Sequence, residues 1–252
     1  MSETSNREQR AERLSRQTLL LGEESDGILA RARVALFGVG GVGSYAAEAL
    51  ARCGVGQIDL IDSDCVSVSN INRQLCALTS TVGRPKVEVV AQRLRDINPE
   101  LKVTPRQEFF LPETADSFDF AAYDFVIDAI DTVTAKVAIA TLCHTAGVPM
   151  LSCMGTGNKQ DPTALRVGDL AKTHTCPLAR VMRRELKARG ILHLPVVWSE
   201  EPPMTPMAQA FSESGKAVPG SLAFVPSVAG LIAAGEAVKT ILKNAREKEK
   251  HE

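Results

Sequence analysis

The sequence predicts an α/β fold: a doubly wound, Rossmann-like and mainly parallel sheet with helices on both faces and a C-terminal extension. Short apolar runs alternate with helix-periodic segments over residues 13–152, the pattern of a parallel sheet. A glycine-rich turn follows the first apolar run and precedes a helical pattern, as in nucleotide-binding units. The alternation weakens after Ser152, which marks the start of the extension.

Each element follows from its local pattern. Apolar runs predict core strands at 33–37, 57–61, 101–104, 125–127 and 148–152, and strands of the extension at 165–167 and 196–198. Apolar residues at helical spacing predict helices at 42–53, 87–97, 133–145, 178–187 and 225–242. Pro85 and Pro99 bound the second helix, because proline is tolerated in the first turn of a helix but ends one further in.

The chain divides into four predicted regions. Residues 1–12 are a flexible polar leader, 13–152 an ATP-binding adenylation core, 153–244 a substrate-binding extension, and 245–252 a frayed tail rich in Lys and Glu. Within the extension, residues 199–220 contain four prolines and little periodicity. Loops of this length are uncommon in compact domains, so the segment is expected to be either a mobile lid or a disordered insert.

Composition excludes several classes of protein. The chain has 252 residues, of which 44% are hydrophobic. Its net charge of -1 gives no overall electrostatic attraction to nucleic acid or anionic lipid. Neither a secretory signal nor a run of about 18 apolar residues is present, so we expect a cytosolic protein with no membrane partner. Six cysteines without a C-x-x-C pair are expected to be free thiols, and no transition-metal site is predicted.

Four glycines form the turn after the first strand: Gly38, Gly40, Gly41 and Gly43. Backbone N–H groups and the positive end of the following helix can face an anionic phosphate there. By itself the turn fits NAD, FAD, S-adenosylmethionine or ATP. A turn needed only for close helix packing is the alternative.

Four carboxylates follow two neighbouring strands. Asp62 and Asp64 come after the second strand, and Asp128 and Asp131 bracket the end of the fourth. The first strand of a doubly wound sheet lies between these two, so all four carboxylates gather at its carboxyl edge. Asp62 occupies the place where such folds bind a ribose hydroxyl. A Mg²⁺ ion held by Asp131 would offset the repulsion of phosphates; helix capping is the alternative for Asp128 and Asp131.

Cationic and amide side chains follow at the same edge. S-N-I-N-R-Q at Ser69–Gln74 and G-R-P-K at Gly83–Lys86 add Arg73 and Lys86 to the carboxylates. Hydride transfer has no need of these cations, whereas phosphoryl and adenylyl transfer need them to neutralise charge on phosphate oxygens. Taken singly, either residue is better explained as a solvated surface charge.

These motifs together resemble the adenylate-forming family that includes the ubiquitin-activating enzymes and the molybdopterin-synthase and thiamine-thiocarboxylate adenylyltransferases. The resemblance covers Arg13 to about Ser152: R-L-S-R-Q, the glycine turn, D-S-D, N-I-N-R-Q, V-G-R-P-K, I-N-P and D-A-I-D in this order. The chain departs from the family pattern at Thr132, where asparagine is usual, and lacks the zinc-binding C-x-x-C pairs of the sulfur-carrier branch.

The resemblance implies ATP as the nucleotide, with ribose bound by Asp62 and Mg²⁺ supported by Asp131. It also implies a homodimer in which Arg16 reaches the nucleotide of the other subunit. The predicted nucleotide-binding residues are Gly38, Gly40, Gly41, Gly43, Asp62, Asp64, Asn70, Arg73, Gln74, Lys86 and Asp128. The predicted catalytic residues are Arg16, Arg73, Lys86, Asp131 and Cys176.

The second half resembles one branch of that family, the tRNA threonylcarbamoyladenosine dehydratases, through G-T-G-N-K-Q-D-P-T at Gly155–Thr163 and D-L-A-K-T at Asp169–Thr173. This resemblance implies activation of the threonyl carboxylate of the modified adenosine beside the anticodon, followed by cyclising dehydration with consumption of ATP. It also implies a monovalent cation, K⁺ or Na⁺, and leaves a sulfur-transfer protein open as a further partner.

A basic helix follows these motifs, and cations on it and just before it are candidates for contacts to tRNA: Lys172, Arg180, Arg183, Arg184 and Lys187. Six basic residues and one acidic residue lie between positions 172 and 189, a local charge that suits a phosphate backbone. An ordinary solvated helix face is the alternative. Aromatic residues are only 4% of the chain, so recognition of the base is expected to rest on polar contacts.

Cys176 has two interpretations. It precedes Pro177 at a predicted helix start, where the helix dipole favours a thiolate, so a thioester intermediate is one hypothesis and a passive thiol the other. Three further functions stay open for the chain: adenylation of the C-terminal glycine of a ubiquitin-like sulfur carrier, a nucleotide-binding regulatory module without turnover, and NAD-dependent oxidoreduction.

Overall fold

The protein is described by a computed structural model of residues 3–211, 215 and 217–250, with side chains from Glu8 onward. Seven strands in these residues form one sheet: β1 (Arg33–Phe37), β2 (Gln57–Ile61), β3 (Lys102–Arg106), β4 (Phe125–Asp128), β5 (Met150–Cys153), β6 (Leu165–Asp169) and β7 (Pro195–Ser199). Their order is β3-β2-β1-β4-β5-β7-β6, and only the pair β6 and β7 is antiparallel. The predicted fold class is confirmed.

Helices cover both faces of this sheet: α1 (Glu3–Leu21), α2 (Glu24–Arg31), α3 (Gly43–Arg52), α4 (Lys86–Ile97), α5 (Val133–Ala146), α6 (Pro177–Lys187) and α7 (Phe224–Glu249). Side chains of β1 alternate between the two faces, because successive residues of a strand point in opposite directions. Val34 and Leu36 pack with α3, α4 and α7, while Ala35 and Phe37 pack with α5 and α6. The two apolar clusters hold β1 at the centre of the molecule.

The long helix α7 belongs to the core. By length and composition it is the one helix in the described residues that could cross a membrane, yet 56% of its most apolar window is buried inside the protein. Gly230 lets it approach α3, since a Cβ at this position would lie only 2.2 Å from the carbonyl oxygen of Val42. Its apolar surface is therefore used to cover the sheet.

Both ends of the chain differ from the sequence expectation. Residues 3–12, expected to be a flexible leader, lie in α1, where the Arg10 Nε donates to Asp26 Oδ1 at 2.6 Å. Residues 245–249, expected to be frayed, continue α7, and the Arg246 Nη2 donates to Leu21 O at 2.6 Å. Partners far away in the chain hold these segments, so local polarity could not reveal them. Residues 1–2 and 251–252 lie outside the described residues.

The predicted core and extension share one sheet. β5 crosses the expected boundary at residue 152, and β6 and β7 continue the sheet beyond it. Residues 200–211 and 217–223 leave β7 and enter α7 without a helix or an extended strand. The expectation of a lid or disordered insert also covers residues 212–214 and 216, which lie outside the described residues.

Candidate nucleotide and acceptor site

A cavity of about 760 Å³ opens at the carboxyl edge of the sheet. It lies where the strand order reverses, between β1 and β4, the usual place for a ligand in this architecture. Ten of the residues predicted from the sequence line it: Gly38, Gly40, Gly41, Asp62, Asp64, Asn70, Arg73, Gln74, Lys86 and Asp131. The topology thus brings together side chains from four separate segments.

The glycine turn is shaped by two contacts with no room for a side chain. Gly38 has a φ of +88°, and a Cβ there would lie 2.8 Å from the Ala129 carbonyl oxygen. A Cβ on Gly43 would lie 1.8 Å from the carbonyl oxygen of Gly38. Gly43 is buried and does not line the cavity. It therefore allows the close approach to Gly38 within the turn and is not placed to contact a nucleotide. The Val39 N–H donates to Asp62 Oδ2 at 2.7 Å, which ties the turn to β2.

Lys86 is the most enclosed cation of the cavity. It is the first residue of α4 and only 4% exposed, and its Nζ donates to Asp64 Oδ2 at 2.7 Å. The Asp64 side chain is 64% exposed. The ammonium group is therefore fixed in place before any ligand arrives, which is the property that makes an electrostatic contact effective in catalysis.

The loop that carries Arg73 is organised by its own hydrogen bonds. The Asn70 Oδ1 accepts from the Ser67 N–H at 3.1 Å, and the Asn70 carbonyl accepts from the Gln74 N–H at 2.9 Å. Arg73 Nη1 donates to the Ser69 carbonyl at 2.9 Å. These bonds present the guanidinium group and the amide of Gln74 beside the glycine turn. Asn70 shapes the loop as well as lining the cavity.

The two carboxylates after β4 have separate environments. Asp131 is exposed in the cavity, whereas Asp128 is fully buried outside its lining. Asp128 Oδ2 forms an ion pair with Lys136 Nζ at 2.9 Å and accepts a hydrogen bond from Ser152 Oγ at 2.5 Å. The expected contact of Asp128 with the nucleotide is corrected, because an ion pair inside the protein occupies this carboxylate. No side-chain cap of α5 is formed by its N-cap residue, Thr132.

Lys136 was missed in the sequence and is fully buried in α5. Besides its pair with Asp128, its Nζ donates to the carbonyls of Ile130 at 3.1 Å and Cys153 at 2.8 Å. It thereby joins the loop after β4 to the end of β5. A single lysine within the apolar run V-T-A-K-V-A-I-A was the available signal.

Further walls of the cavity were not predicted as site residues, although Gly155–Gly157 belong to a motif noted in the sequence. They come from residues after β3 and β5 and from the segment before and into α7: Glu108, Phe109, Phe110, Met154, Gly155, Thr156, Gly157, Ala217, Val218, Pro219, Ser221 and Pro226. Phe110 packs edge-on against Phe37 with ring centroids 5.0 Å apart, while Phe109 is half exposed. The position of these residues directly after strands was the usable signal for the first two groups.

Three cysteines in or near the site, Cys76, Cys153 and Cys176, have buried thiols. Burial raises the pKa of Cys153, which lines the cavity, to about 12, and burial raises the pKa of Cys76 to about 11. Cys176 is the N-cap of α6 as expected, but it is 3% exposed within an apolar cluster and outside the cavity lining. The thioester hypothesis requires an accessible sulfur atom, which this buried position does not provide.

The basic helix α6 presents fewer cations than its sequence suggests. Arg180 and Lys187 on α6 are exposed, as is Lys172 in the turn before it, and the described residues offer these three cations no ion-pair partner. Arg184 pairs with Glu185 at 2.9 Å. Arg183 turns inward and donates to the carbonyl of Thr173 at 2.7 Å. Its expected contact with tRNA is therefore corrected: this side chain joins α6 to the segment before it.

Arg16 is exposed on α1 and does not line the cavity of its own chain. The structure describes one copy of the chain, so its expected contact with a second subunit stays a prediction. Among the described residues, no cluster of three or more His, Cys, Asp or Glu is arranged to hold a metal ion.

Comparisons with known proteins identify the family of this chain. The model of the ThiF family matches residues 14–252. A tRNA threonylcarbamoyladenosine dehydratase of Bacillus subtilis is 45% identical over 240 residues, covering 91% of this chain and 94% of the relative. A molybdopterin-synthase adenylyltransferase of Salmonella typhimurium is 40% identical over 142 residues, covering 56% and 57% of the two chains.

The solved structure of E. coli tRNA N6-threonylcarbamoyladenosine dehydratase in complex with ATP superposes with a TM-score of 0.86. It is 38% identical in sequence, and the match covers 94% of this chain and 96% of that one. The same enzyme in complex with AMP gives a TM-score of 0.85. The family resemblance inferred from the motifs is confirmed, and this chain belongs to the ThiF family.

Proposed function

We propose that this protein is an ATP-dependent tRNA threonylcarbamoyladenosine dehydratase, which adenylates the threonyl carboxylate of the modified adenosine and then closes it to a cyclic form. One observation carries the proposal. A single cavity joins the phosphate-facing residues Arg73, Lys86 and Asp131 to Gly155–Gly157, the segment that resembles this branch in sequence. The two dehydratase relatives match over nearly the whole chain, which supports the same substrate.

Two bond exchanges complete the reaction. The substrate carboxylate oxygen bonds to the α-phosphorus of ATP, and the bond to pyrophosphate breaks. A substrate nitrogen then bonds to the activated carbonyl carbon, loses its proton, and displaces AMP. The oxygen removed from the substrate leaves with AMP, so no enzyme nucleophile is required. Because the second step is intramolecular, correct orientation supplies much of its rate.

The residues of the cavity suit the first exchange. Asp62 holds the turn through the Val39 N–H and lies at the position of a ribose contact. The Gly40 and Gly41 backbone lies at the start of α3, where the helix dipole favours phosphate. Arg73 and Lys86 supply positive charge for the oxygens of the five-coordinate phosphorus.

The carboxylate of Asp131 fits a magnesium ion. It is exposed in the cavity, and no hydrogen bond or ion pair of the described residues engages it. Magnesium sites typically use one or two protein carboxylates together with substrate phosphates, so a single carboxylate is sufficient. The ion would neutralise phosphate charge. A monovalent cation, K⁺ or Na⁺, is kept as a prediction without assigned ligands.

A second copy of the chain is part of this proposal. Arg16 precedes Leu19 and Leu20, whose side chains are 81% and 86% exposed in the single chain. Covering such a pair of leucines would stabilise a homodimer, and it would bring Arg16 to a surface shared by two subunits. We place the enzyme in the cytoplasm with its tRNA substrate, and keep a sulfur-transfer protein as a predicted partner.

The proposal is tested by incubating the protein with ATP, Mg²⁺ and tRNA that carries or lacks threonylcarbamoyladenosine. Mass spectrometry of the nucleosides should show loss of one water from the modified adenosine only, with release of AMP and pyrophosphate. Pyrophosphate exchange that depends on a ubiquitin-like sulfur carrier, without any response to tRNA, would instead identify the carrier adenylyltransferase. Omission of Mg²⁺ should stop the reaction.

Replacing Cys176 by serine should leave the dehydration rate within about twofold of the native rate, because the thiol is buried outside the cavity lining. Steady-state rates with modified tRNA measure this. A loss of activity of a hundredfold or more in a folded Cys176→Ser protein would support the thioester hypothesis.

Charge reversal at Arg180 and Lys187 should raise the KM for tRNA by about tenfold and leave the KM for ATP unchanged, since both side chains are exposed on α6 and suited to contact phosphates. The effect should shrink as salt is added. The same reversal at Lys102, an exposed residue of edge strand β3, is the matched control. Equal KM values for native and reversed proteins would remove α6 from the tRNA interface.

A further inference from the structure

The segment Gly157–Asp161, here called the clasp, contacts both arms of the loop between β7 and α7. The first arm is residues 200–211 and the return arm is residues 217–223. The return arm contributes several residues to the wall of the cavity. Nothing in the reaction described above uses the side chains of the clasp, and yet their contacts are extensive.

The clasp holds the first arm through two charged side chains. Lys159 is 3% exposed, and its Nζ donates to the Glu201 carbonyl at 2.5 Å. The Glu201 carboxylate accepts in return from the backbone N–H groups of Gln160 at 3.0 Å and Asp161 at 2.9 Å. The beginning of the loop is therefore held at Glu201, through both its backbone carbonyl and its side-chain carboxylate.

Asn158 contacts both arms. Its N–H donates to the Gly220 carbonyl at 2.7 Å, its Oδ1 accepts from the Gly220 N–H at 2.6 Å, and its own carbonyl accepts from the Met204 N–H at 2.7 Å. Its φ of +58° lies in the left-handed region, which asparagine tolerates better than most residues. Gly157 beside it lies so near the return arm that a Cβ would meet Pro219 Cβ at 2.8 Å.

The other end of the return arm reaches the loop that carries Arg73. Asn72 Nδ2 donates to the Ser221 carbonyl at 3.0 Å, and Arg73 Nη1 donates to Asn72 Oδ1 at 2.9 Å. The return arm therefore connects Asn158 to Asn72, the residue next to Arg73. It forms a wall of the cavity next to Gly157.

We propose that Asn158 is a positioning residue for the tRNA substrate. Its two hydrogen bonds to Gly220 hold the return arm as the wall against which the threonylcarbamoyl group enters, and its bond to Met204 joins the first arm to the same point. Asn158 contacts the return arm at Gly220, next to Gly157 and far in the chain from Asp62 and Lys86, so we expect this role to affect tRNA binding much more than ATP binding. The inference rests on the function proposed above.

Two substitutions separate the side chain from the backbone at this position. Asn158→Gly keeps the positive φ without strain but removes the oxygen that accepts from Gly220. Asn158→Asp keeps an acceptor oxygen in the same place. We expect the glycine variant to raise the KM for modified tRNA about fivefold to tenfold, the size of one lost hydrogen bond, with less than a twofold change in the KM for ATP. The aspartate variant should restore the KM for tRNA.

A purely structural role would affect both substrates together, so equal changes in the two KM values, unchanged values, or failure of the aspartate variant to restore tRNA binding would overturn the proposal. Limited proteolysis without any substrate gives an independent reading. The loop of the glycine variant should be cut several times faster than that of the aspartate and native proteins, and equal rates of cutting would contradict the clasp. If native protein dehydrates no tRNA, the proposed function fails while the proteolysis result still decides the clasp.

Discussion

Replacing Lys86 by methionine should lower the rate of adenylation by about a thousandfold, and Arg73→Ala should have an effect of similar size. Removing one fixed donor to a developing oxyanion typically costs two to three orders of magnitude, about 3–4 kcal/mol. Lys86 meets the conditions for a full effect, because it is enclosed and already oriented by Asp64. Methionine preserves most of the buried length of the side chain and leaves only the charge to be lost.

The fold should survive the loss of Lys86. Its partner Asp64 is 64% exposed, so water can solvate the carboxylate that the substitution leaves without a partner, and pairs of this kind contribute little to stability. Arg84→Ala is the matched control, since Arg84 lies two residues earlier on the exposed surface and donates to Gln92 Oε1 at 3.1 Å. The control should keep the native rate within about twofold.

The measurement is release of pyrophosphate in the presence of modified tRNA, with ATP affinity measured separately. We expect kcat to fall far more than ATP binding weakens, because the charge on the phosphate oxygens grows in the transition state. Undiminished turnover in both the Lys86 and the Arg73 variants would remove these cations from the mechanism. A fall in the Arg84 control equal to that of Lys86 would indicate general damage instead.

The fold could be predicted because the local spacing of apolar residues indicates its strands and helices. β1 is an apolar run that ends in glycines, and α4 is an apolar repeat bounded by Pro85 and Pro99. Once β1 is placed between its neighbours, the residues that follow β2 and β4 must meet at one edge. Asp62, Arg73, Lys86 and Asp131 were located by this argument, and all four line the cavity.

The rest of the site depends on contacts between segments distant in the chain, which periodicity cannot show. Asp128 and Asp131 have the same charge and nearly the same position, but only Asp128 meets a buried lysine. Arg183 has the helical spacing of an exposed cation, but it turns to the Thr173 carbonyl. The hydrogen bond between Asn158 and Gly220 joins residues 62 positions apart. No sequence pattern within either segment predicts this contact.

Replacing Lys136 by methionine should destabilise the protein by about 3–5 kcal/mol, the usual cost of breaking a buried ion pair on one side. Asp128 and Lys136 have no exposed side-chain surface, and the substitution would leave the carboxylate with Ser152 Oγ and the Ile130 N–H as its partners. The carbonyls of Ile130 and Cys153 would lose their donor as well. Such a loss is a large fraction of the 5–15 kcal/mol that stabilises an ordinary domain.

Urea denaturation of four proteins separates the ion pair from simple loss of packing. The variant Asp128→Asn/Lys136→Met replaces both charges by neutral groups of similar shape and should recover much of the stability lost by Lys136→Met alone, because no uncompensated buried charge remains. Lys239→Met is the matched control: Lys239 pairs with Glu236 at 2.8 Å but is 74% exposed, so its loss should change stability by less than about 1 kcal/mol. Equal losses from Lys136→Met and Lys239→Met would show that burial of the pair contributes nothing, and a double variant no more stable than Lys136→Met alone would show that the uncompensated charge is not the cause of the loss.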